Sequence, residues 1–208
     1  MKVIGLCGLI SSGKDTAADF LVNNYGFRKE SFAGNLKDIV SIVFSWERDL
    51  LEGSTKESRA WREIKDEWWS ARLNMEITPR WVLQYWGTDV LRNNFHDEIW
   101  IASLQRKLNL KGGNIVITDC RFPNEINILT LLGAKVCRIV RGADPEWFQY
   151  AKKYMAGDNT VENKAKLSAY KVHPSEYSWA NTDFYSIIDN NGSLENLQKQ
   201  LAELVDKA

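Results

Sequence analysis

The chain contains few cysteines and histidines, and it has no long apolar run. Its three cysteines, Cys7, Cys120 and Cys137, form no Cys-x-x-Cys pair, and its two histidines are far apart. These residues predict no disulfide framework and no zinc site, and they favour a reducing cytoplasm. No segment is apolar for long enough to cross a bilayer, and the first residues lead directly into a glycine-rich turn. We therefore expect neither a membrane span nor a signal peptide.

An excess of charge of one sign is also lacking. The 27 Lys and Arg residues balance the 27 Asp and Glu residues, so no overall basic field would attract nucleic acid or an acidic membrane. Hydrophobic residues make up 44% of the 208 positions, which is enough for the core of one domain over residues 1–208. The composition therefore favours a small-molecule partner over a nucleic acid or a membrane.

Tryptophan, in contrast, is abundant: the chain has nine, and seven of them fall between Trp46 and Trp100. This stretch shows no convincing strand pattern, so we interpret residues 44–100 as a helical insertion in which most tryptophans pack together. The insertion could also supply an apolar surface for a homodimer. Residues 145–180 are polar, lysine-rich and weakly periodic, and we interpret them as a lid-like segment.

The rest of the chain alternates between short apolar runs and amphipathic stretches. Val3 to Cys7 is apolar at almost every position and ends at a glycine, as in a strand buried on both faces of a parallel sheet. Further strands are predicted at Ile115 to Thr118, Val136 to Val140 and, more weakly, Tyr185 to Ile188, with helices over 14–23, over 124–132 and after Ser193. This alternation predicts an α/β fold, a parallel sheet flanked by helices, with ligands at the carboxyl ends of the strands.

The first turn carries the main functional signal. Gly8-Leu9-Ile10-Ser11-Ser12-Gly13-Lys14 has the Gly-x-x-x-x-Gly-Lys spacing of a phosphate-binding loop, and it lies between a predicted strand and a predicted helix. Its glycines permit backbone angles that turn successive N–H groups inward, and the helix N-terminus adds positive potential. Lys14 is expected to neutralise charge between the β- and γ-phosphates of ATP.

The residue after Lys14 departs from the usual pattern. Asp15 stands where a Ser or Thr hydroxyl normally meets magnesium, and the hydroxyl follows one residue later as Thr16. Asp15 could bind the ion through water, Thr16 could replace the usual hydroxyl, or Asp15 could simply favour the first turn of the helix. The choice of metal ligand stays open between these two residues.

Two further clusters point to phosphoryl transfer. Asp119 and Arg121 follow a predicted strand, which places them at the same sheet edge as the phosphate turn, and Asp119 is similar to a Walker B carboxylate. Arg80, Gln84 and Thr88 are spaced four residues apart, so one helical face could offer an arginine to a phosphate. The NKxD and DxxG motifs of GTPases are missing, and motor and helicase ATPases are larger. A small-molecule kinase is the favoured class.

Several motifs follow one another in order along nearly the whole chain. They are Ser12-Gly13-Lys14-Asp15-Thr16-Ala17-Ala18-Asp19-Phe20, Phe32-Ala33-Gly34-x-x-Lys37-Asp38, Gly87-Thr88-Asp89, Asn93-Asn94-Phe95 with Trp100, Asp119-x-Arg121-x-x-x-Glu125, Gly133-Ala134-x-Val136, His173-x-x-Glu176 and Asn190-Asn191-Gly192-Ser193-Leu194-Glu195. Their ordered sum resembles the bacteriophage-type deoxynucleoside monophosphate kinases. The resemblance implies an adenylate-kinase-like P-loop fold and transfer of the γ-phosphoryl group of MgATP to a deoxynucleoside monophosphate (dNMP). The products would be ADP and a diphosphate for DNA precursor synthesis, and a viral member would act in the host cytoplasm.

The resemblance also implies roles for individual residues. With the phosphate turn, the expected ATP site comprises Gly8, Ser12, Gly13, Lys14, Asp15, Thr16, Arg141, Asn190 and Gly192, the last two near adenine. The expected dNMP site comprises Leu36, Lys37, Arg80, Gly87, Thr88, Trp100, Asp119, Arg121 and Glu125. Catalysis is assigned to Lys14, Asp119 and Arg121. Lys37 and Arg80 are expected to bind the acceptor phosphate, and Arg121 to bridge acceptor and donor.

Two other functions stay open at this point. Another small-molecule P-loop kinase, similar to dephospho-coenzyme A kinase, would share the turn and the Asn-Asn-Gly-Ser-Leu segment, but Gly87-Thr88-Asp89 argues against it. A nucleotide-sensing module would hold ATP without transferring phosphate, but Asp119 and Arg121 at the sheet edge favour an enzyme. The sequence does not indicate which bases are accepted, or whether deoxyribose is preferred over ribose.

Overall fold

The computed structural model describes residues 2–208, apart from the side chain of Lys111. Its sheet has five strands in the order β2-β3-β1-β4-β5, and every pair of neighbours is parallel. The strands are β1 (Val3–Cys7), β2 (Arg28–Glu30), β3 (Ile115–Ile117), β4 (Lys135–Val140) and β5 (Ser186–Asp189). Because β1 is central, the turn that follows it has a strand end on either side.

The helices occupy most of the remaining chain. The α-helices are α1 (Lys14–Tyr25), α2 (Gly34–Phe44), α3 (Lys56–Trp61), α4 (Glu67–Leu73), α5 (Pro79–Gln84), α6 (Ile99–Lys111), α7 (Pro123–Leu131), α8 (Trp147–Met155), α9 (Val161–Ala169) and α10 (Leu194–Lys207). Two short 3₁₀ turns cover Leu50–Glu52 and Pro174–Glu176, and a π-helix covers Tyr85–Asn93. None of these described helices is long and apolar enough to cross a membrane.

The chain divides into two compact units. The first, the sheet unit, comprises Met1–Ser31 and Leu110–Ala208, and the second, the helical unit, comprises Phe32–Asn109. All five strands belong to the sheet unit, and the described residues of the helical unit form helices and turns without a strand. The helical unit thus contains the predicted insertion over 44–100 and begins earlier, at Phe32.

The core of the sheet unit forms between the strands and two helices. Every residue of β1 is buried, because its apolar side chains face covered surfaces on both sides of the sheet. The cluster includes strand residues and residues of α1 and α10, among them Ile4, Leu6, Leu21, Val116, Ile139, Leu197 and Leu201. Apolar burial therefore stabilises the middle of the strands and leaves their carboxyl ends to polar residues.

The core of the helical unit is aromatic. Phe44 stacks on Trp46 with ring centroids 4.4 Å apart, and it contacts Trp69 at 4.9 Å. The indole of Trp46 donates to Asp66 Oδ2 at 2.7 Å, and the indole of Trp69 donates to the Phe44 carbonyl at 3.1 Å. Each buried ring thus keeps its polar N–H paired, which accounts for most of the tryptophan enrichment as packing. Trp68, 65% exposed, is an exception.

Several sequence expectations are confirmed, and two features of the structure were not predicted. β1 has the predicted bounds, β3 to β5 lie within a residue or two of theirs, and Ser193 caps α10 by accepting from Asn196 N. The edge strand β2 was not predicted. The π-helix that follows the α-helix from Tyr85 was not predicted either, and a shared face for Arg80, Gln84 and Thr88 stays a prediction.

Candidate active site

The turn after β1 has the backbone of a phosphate-binding loop. Gly8 has φ 145° and Gly13 has φ 101°, both closed to most side chains, and Ser11 also lies in the left-handed region at φ 65°. A Cβ at Gly8 would lie 2.5 Å from the carbonyl oxygen of Ile139 on the neighbouring strand β4. The turn is therefore held close to the sheet, where only glycine fits at its first position.

Lys14 closes over this turn from the first residue of α1. Its Nζ donates to the carbonyl oxygens of Gly8 and Leu9, both at 2.8 Å. Burial lowers the pKa of Lys14 from its ordinary value of 10.5, and the positive charge of Arg121 lowers it further, while Glu176 opposes the shift. The ammonium group thus already lies at the turn, and the charges of Arg121 and Glu176, from two other segments, act on it.

The second half of the turn contains an unsatisfied hydroxyl and a side-chain contact from another strand end. Ser12 is buried, and its Oγ has no hydrogen-bond partner among the described residues. The side-chain amide of Asn190, directly after β5, donates to the Ser12 carbonyl oxygen at 2.9 Å. A buried hydroxyl without a partner is costly, so Ser12 Oγ is a group that a bound ligand could satisfy.

The end of β3 brings Arg121 to the site together with a residue that the site prediction did not include. Arg121 Nη1 forms an ion pair with Glu176 Oε1, from the 3₁₀ turn Pro174–Glu176. The side chain of Glu176 is only 15% exposed. Its signal in the sequence is the His173-x-x-Glu176 motif, which by itself assigns no partner to the glutamate. The ion pair joins the predicted lid-like segment to the strand end that carries Arg121.

Glu125, predicted to line the dNMP site, binds backbone N–H groups of its own segment. It is 2% exposed, and its Oε2 accepts from the backbone N–H groups of Arg121 at 2.9 Å and Phe122 at 3.1 Å. These bonds shape the segment between β3 and α7, because they satisfy donors at the N-terminus of that helix. Asp119 lies in the same segment, partly buried. Contacts of Glu125 and Asp119 with substrate stay predictions.

Asp15 and Thr16 differ in their surroundings. Asp15 Oδ1 lies 2.8 Å from Lys29 Nζ, an ion pair between α1 and β2, whereas Thr16 is exposed. Lys29 also lies 3.5 Å from Asp19, and it was missed because β2 itself was not predicted. Among residues 2–208, no group of three or more His, Cys, Asp or Glu side chains is arranged to hold a metal ion.

The ends of β4 and β5 complete this edge of the sheet unit. Arg141 directly follows β4 and is exposed. Gly142 N donates to Asn191 Oδ1 at 2.6 Å, which ties the loop after β4 to the loop after β5. Gly192 lies against α10, because a Cβ at this position would be 2.9 Å from Asn196 Nδ2. The expected ATP-site residues thus fall on adjacent strand ends around the phosphate turn.

The helical unit brings four of the expected dNMP-site residues together. Trp100 is buried, and its indole N–H donates to the Gly87 carbonyl at 2.8 Å. A Cβ at Gly87 would lie 2.8 Å from Leu36 Cδ2, so a larger residue would collide with α2. Gly87 and the buried Thr88 belong to the π-helix, a conformation often found at functional sites. Because its indole already donates inside the unit, Trp100 is better placed to pack than to pair with a base.

The two basic residues expected to bind the acceptor phosphate are each paired with a glutamate. Lys37 Nζ lies 2.6 Å from Glu52 Oε2, and Arg80 Nε lies 2.8 Å from Glu63 Oε1. Arg48 also contacts Glu52, so that carboxylate serves two cations. Glu52 and Glu63 were not predicted, since a charged surface stretch gives no sign of which ions pair.

Comparisons of the sequence with known proteins agree on one family. A family model described as deoxynucleotide monophosphate kinase matches residues 50–172. A protein of Acanthamoeba polyphaga mimivirus, provisionally named deoxynucleotide monophosphate kinase, is 30% identical over 221 residues, spanning 100% of this chain and 98% of the relative. The deoxynucleoside-5'-monophosphate kinase of Escherichia phage T5 is 25% identical over 177 residues, spanning 61% of this chain and 71% of that protein. A solved structure of dephospho-CoA kinase from Campylobacter jejuni is 18% identical, covers 100% of this chain and 97% of its own, and has a TM-score of 0.47.

Proposed function

Because the chain belongs to the deoxynucleotide monophosphate kinase family, we propose that it transfers the γ-phosphoryl group of ATP to a dNMP. The products are a deoxynucleoside diphosphate and ADP. The observation that carries this proposal is the phosphate turn Gly8–Lys14, with Lys14 already at its carbonyl oxygens and Arg121 acting electrostatically on it. The substrate is thus a small nucleotide, and we propose the host cytoplasm as the place of action.

On the donor side, the turn and Lys14 bind the phosphates of ATP. Backbone N–H groups of the turn and of the first turn of α1 bind phosphate oxygens, aided by the helix dipole. Lys14 exchanges its two carbonyl contacts for charge-assisted bonds to the β- and γ-phosphates. Arg121 leaves or shares Glu176 and neutralises charge that develops on the transferred group.

On the acceptor side, Lys37 and Arg80 bind the phosphate of the dNMP. Each of these two residues already forms an ion pair with a glutamate, so the phosphate of the dNMP must take the place of that carboxylate. Leu36, Gly87 and Trp100, which contact one another, are proposed to line the same acceptor site. No general base is required, because the acceptor phosphate is ionised at neutral pH. Catalysis then consists of alignment and charge neutralisation.

Magnesium fits this site as a companion of ATP. Mg²⁺ prefers oxygen ligands and often takes only one or two from the protein, with the rest from phosphates and water. Thr16, in the first turn of α1, and Asp119, after β3, offer such oxygens at neighbouring strand ends. Asp15 is the weaker candidate, because Lys29 already pairs with its carboxylate. When bound, the ion supplies positive charge to the phosphate oxygens.

The reaction is tested by product analysis. The protein is incubated with MgATP and a panel of dNMPs, ribonucleoside monophosphates and dephospho-coenzyme A, and the products are separated by chromatography. We expect deoxynucleoside diphosphates and ADP in equal amounts. A Lys14→Ala sample, purified identically, reports any contaminating host kinase. Phosphorylated dephospho-coenzyme A with no nucleoside diphosphate would show a different acceptor, and ATP binding without any product would show a sensing module instead.

A further inference from the structure

The loop after β5 reaches the phosphate turn through one side chain. Asn190 Nδ2 donates to the Ser12 carbonyl oxygen at 2.9 Å, although the two residues are 178 positions apart. In the sheet, β5 is separated from β1 by β4, so this amide extends past an intervening strand end. A Cβ at Gly13 would lie only 2.2 Å from Asn190 Nδ2. Glycine at position 13 therefore admits the asparagine as well as permitting φ 101°.

Holding a carbonyl also fixes the amide on the other side of its peptide bond. The described chain has no cis peptide, so the planar Ser12–Gly13 bond is trans, with its C=O and N–H pointing in opposite directions. While Asn190 holds the Ser12 carbonyl, the Gly13 N–H must point away from Asn190. In a phosphate-binding turn, N–H groups of this kind supply much of the affinity for the triphosphate.

We propose that Asn190 is a positioning residue of the phosphate turn, which holds the Ser12–Gly13 peptide in the orientation that binds the triphosphate. This role rests on the proposed function, and it differs from a contact with adenine, which the resemblance implied for this segment. Asn190 acts through the backbone of the turn and needs no contact with the ligand.

The donor is itself fixed on several sides. Asn190 N donates to the Val140 carbonyl oxygen at 2.8 Å, at the end of β4. Beside it, Asp189 exchanges two hydrogen bonds with the Gln200 side chain of α10, at 3.0 and 2.8 Å. A side chain on such a braced strand end can orient a loop, because little freedom is lost when the bond forms.

Binding experiments on the purified full chain separate the two roles. Asn190→Ala removes the amide, and Asn24→Ala is the matched control, because it removes an exposed asparagine amide of the same unit at the C-terminal end of α1, where it bonds only the Phe20 carbonyl oxygen. The probes are inorganic tripolyphosphate and ATP, each with magnesium, in calorimetric titrations. Tripolyphosphate has no adenine, so only a defect in the turn can weaken its binding.

We expect Asn190→Ala to weaken the binding of tripolyphosphate and of ATP by the same factor, about three- to tenfold, and Asn24→Ala to leave both affinities unchanged. The KM for ATP should rise in parallel while the KM for dNMP stays constant. Amide hydrogen exchange over residues 8–14 without ligand should be faster in Asn190→Ala alone. Thermal unfolding of the variants confirms that they are folded, and Asn190→Leu, which is neutral, similar in size and without a donor, provides a second variant that adds no charge beside the turn.

Two results would overturn the inference in distinguishable ways. If Asn190→Ala and Asn190→Leu weaken ATP binding but leave tripolyphosphate binding and exchange at the turn unchanged, Asn190 contacts adenine and does not position the turn. If the wild-type protein binds neither tripolyphosphate nor ATP, the proposed function itself is wrong, and the inference falls with it.

Discussion

The two units hold their candidate phosphate-binding cations in different ways. In the sheet unit, Lys14 rests on two backbone carbonyl oxygens of its own turn. In the helical unit, Lys37 and Arg80 each lie against a glutamate. A carbonyl oxygen carries only partial charge, whereas a carboxylate carries a full one, so a phosphate displaces the carbonyl at a smaller electrostatic cost. The donor site is therefore ready for its ligand, while the acceptor residues must exchange one anion for another.

The origin of each arrangement differs as well. The phosphate turn depends on backbone angles and on the ends of parallel strands, which the sheet fixes together. The expected acceptor residues depend on α2, α5 and a π-helix, with side-chain ion pairs that are partly exposed and screened by solvent. Substitutions should accordingly affect the two units unequally, and three experiments can sharpen or break this comparison.

The largest effect is expected at Lys14. Lys14→Ala removes the only cation bonded to the turn's own carbonyl oxygens among the described residues, and kcat/KM for ATP should fall by about a thousandfold. The fold should persist, because the residue lies in a turn at a helix start. Steady-state kinetics and thermal unfolding measure the two properties, and Lys199→Ala, on the exposed side of α10, is the control. Collapse of the folded state would show that Lys14 is mainly structural.

A smaller and selective effect is expected at Arg80. Arg80→Ala should raise the KM for dNMP by about ten- to hundredfold and leave the KM for ATP within about twofold, because a charge-assisted bond to the acceptor phosphate is lost. Arg72→Ala provides a matched control, since Arg72 is an exposed arginine of the same unit. An equal rise in both KM values would place Arg80 outside the acceptor site.

The smallest effect is expected at Glu176 and concerns pH. Lys14 must be protonated to bind phosphate. Burial and the charge of Arg121 lower the pKa of Lys14 below its ordinary value of 10.5. As the pH rises, activity should therefore be lost at a pH lower than 10.5. The negative charge of Glu176 acts to raise that pKa. Glu176→Gln should therefore lower it, and the alkaline limb of kcat/KM for ATP should move to lower pH, with a loss at neutral pH of about two- to fivefold.

A shift of the alkaline limb can be assigned to Lys14, because the thiol nearest to it does not ionise in the same pH range. Burial raises the pKa of Cys7 to about 12, so its thiol stays neutral. Glu203→Gln, on the exposed side of α10, is the control and should leave the limb in place. An unchanged limb in Glu176→Gln would mean that Glu176 serves only to hold Arg121.

Much of the sheet unit could be predicted because its signals are local. An apolar run ending in a glycine gave β1 and the turn, and Ser193 marked the start of α10. The edge strand β2 gave no such signal, since Arg28, Lys29 and Glu30 are all charged, and an edge strand does not require an apolar face. The π-helix was equally hidden, because its residues are spaced like those of any amphipathic helix.

The candidate site was predictable by residue type but not by partner. Lys14, Asp119 and Arg121 were identified from motifs at strand ends, yet their roles toward substrate stay predictions. The ion pairs that hold the cations before a ligand binds, from Glu176 to Arg121 and from Lys29 to Asp15, were not predicted. They join segments distant in sequence, and charged residues are too common on a surface for their type alone to identify a pair.

The sequence by itself determined the phosphate turn. The turn needs glycine at positions 8 and 13, where the backbone angles are open only to glycine, and it needs the side chain of Lys14. These requirements concern residues close together in the chain, so they can be read from the sequence. It also determined the family, through motifs kept in one order along the chain. Only the tertiary structure decided which groups meet that turn. Asn190 reaches Ser12 across 178 positions, and Glu176 reaches Arg121 across 55, because strand order and loop packing set these distances. Neighbouring residues in the chain determine the binding loop, and the tertiary fold determines how the loop is oriented and which charged groups lie near it.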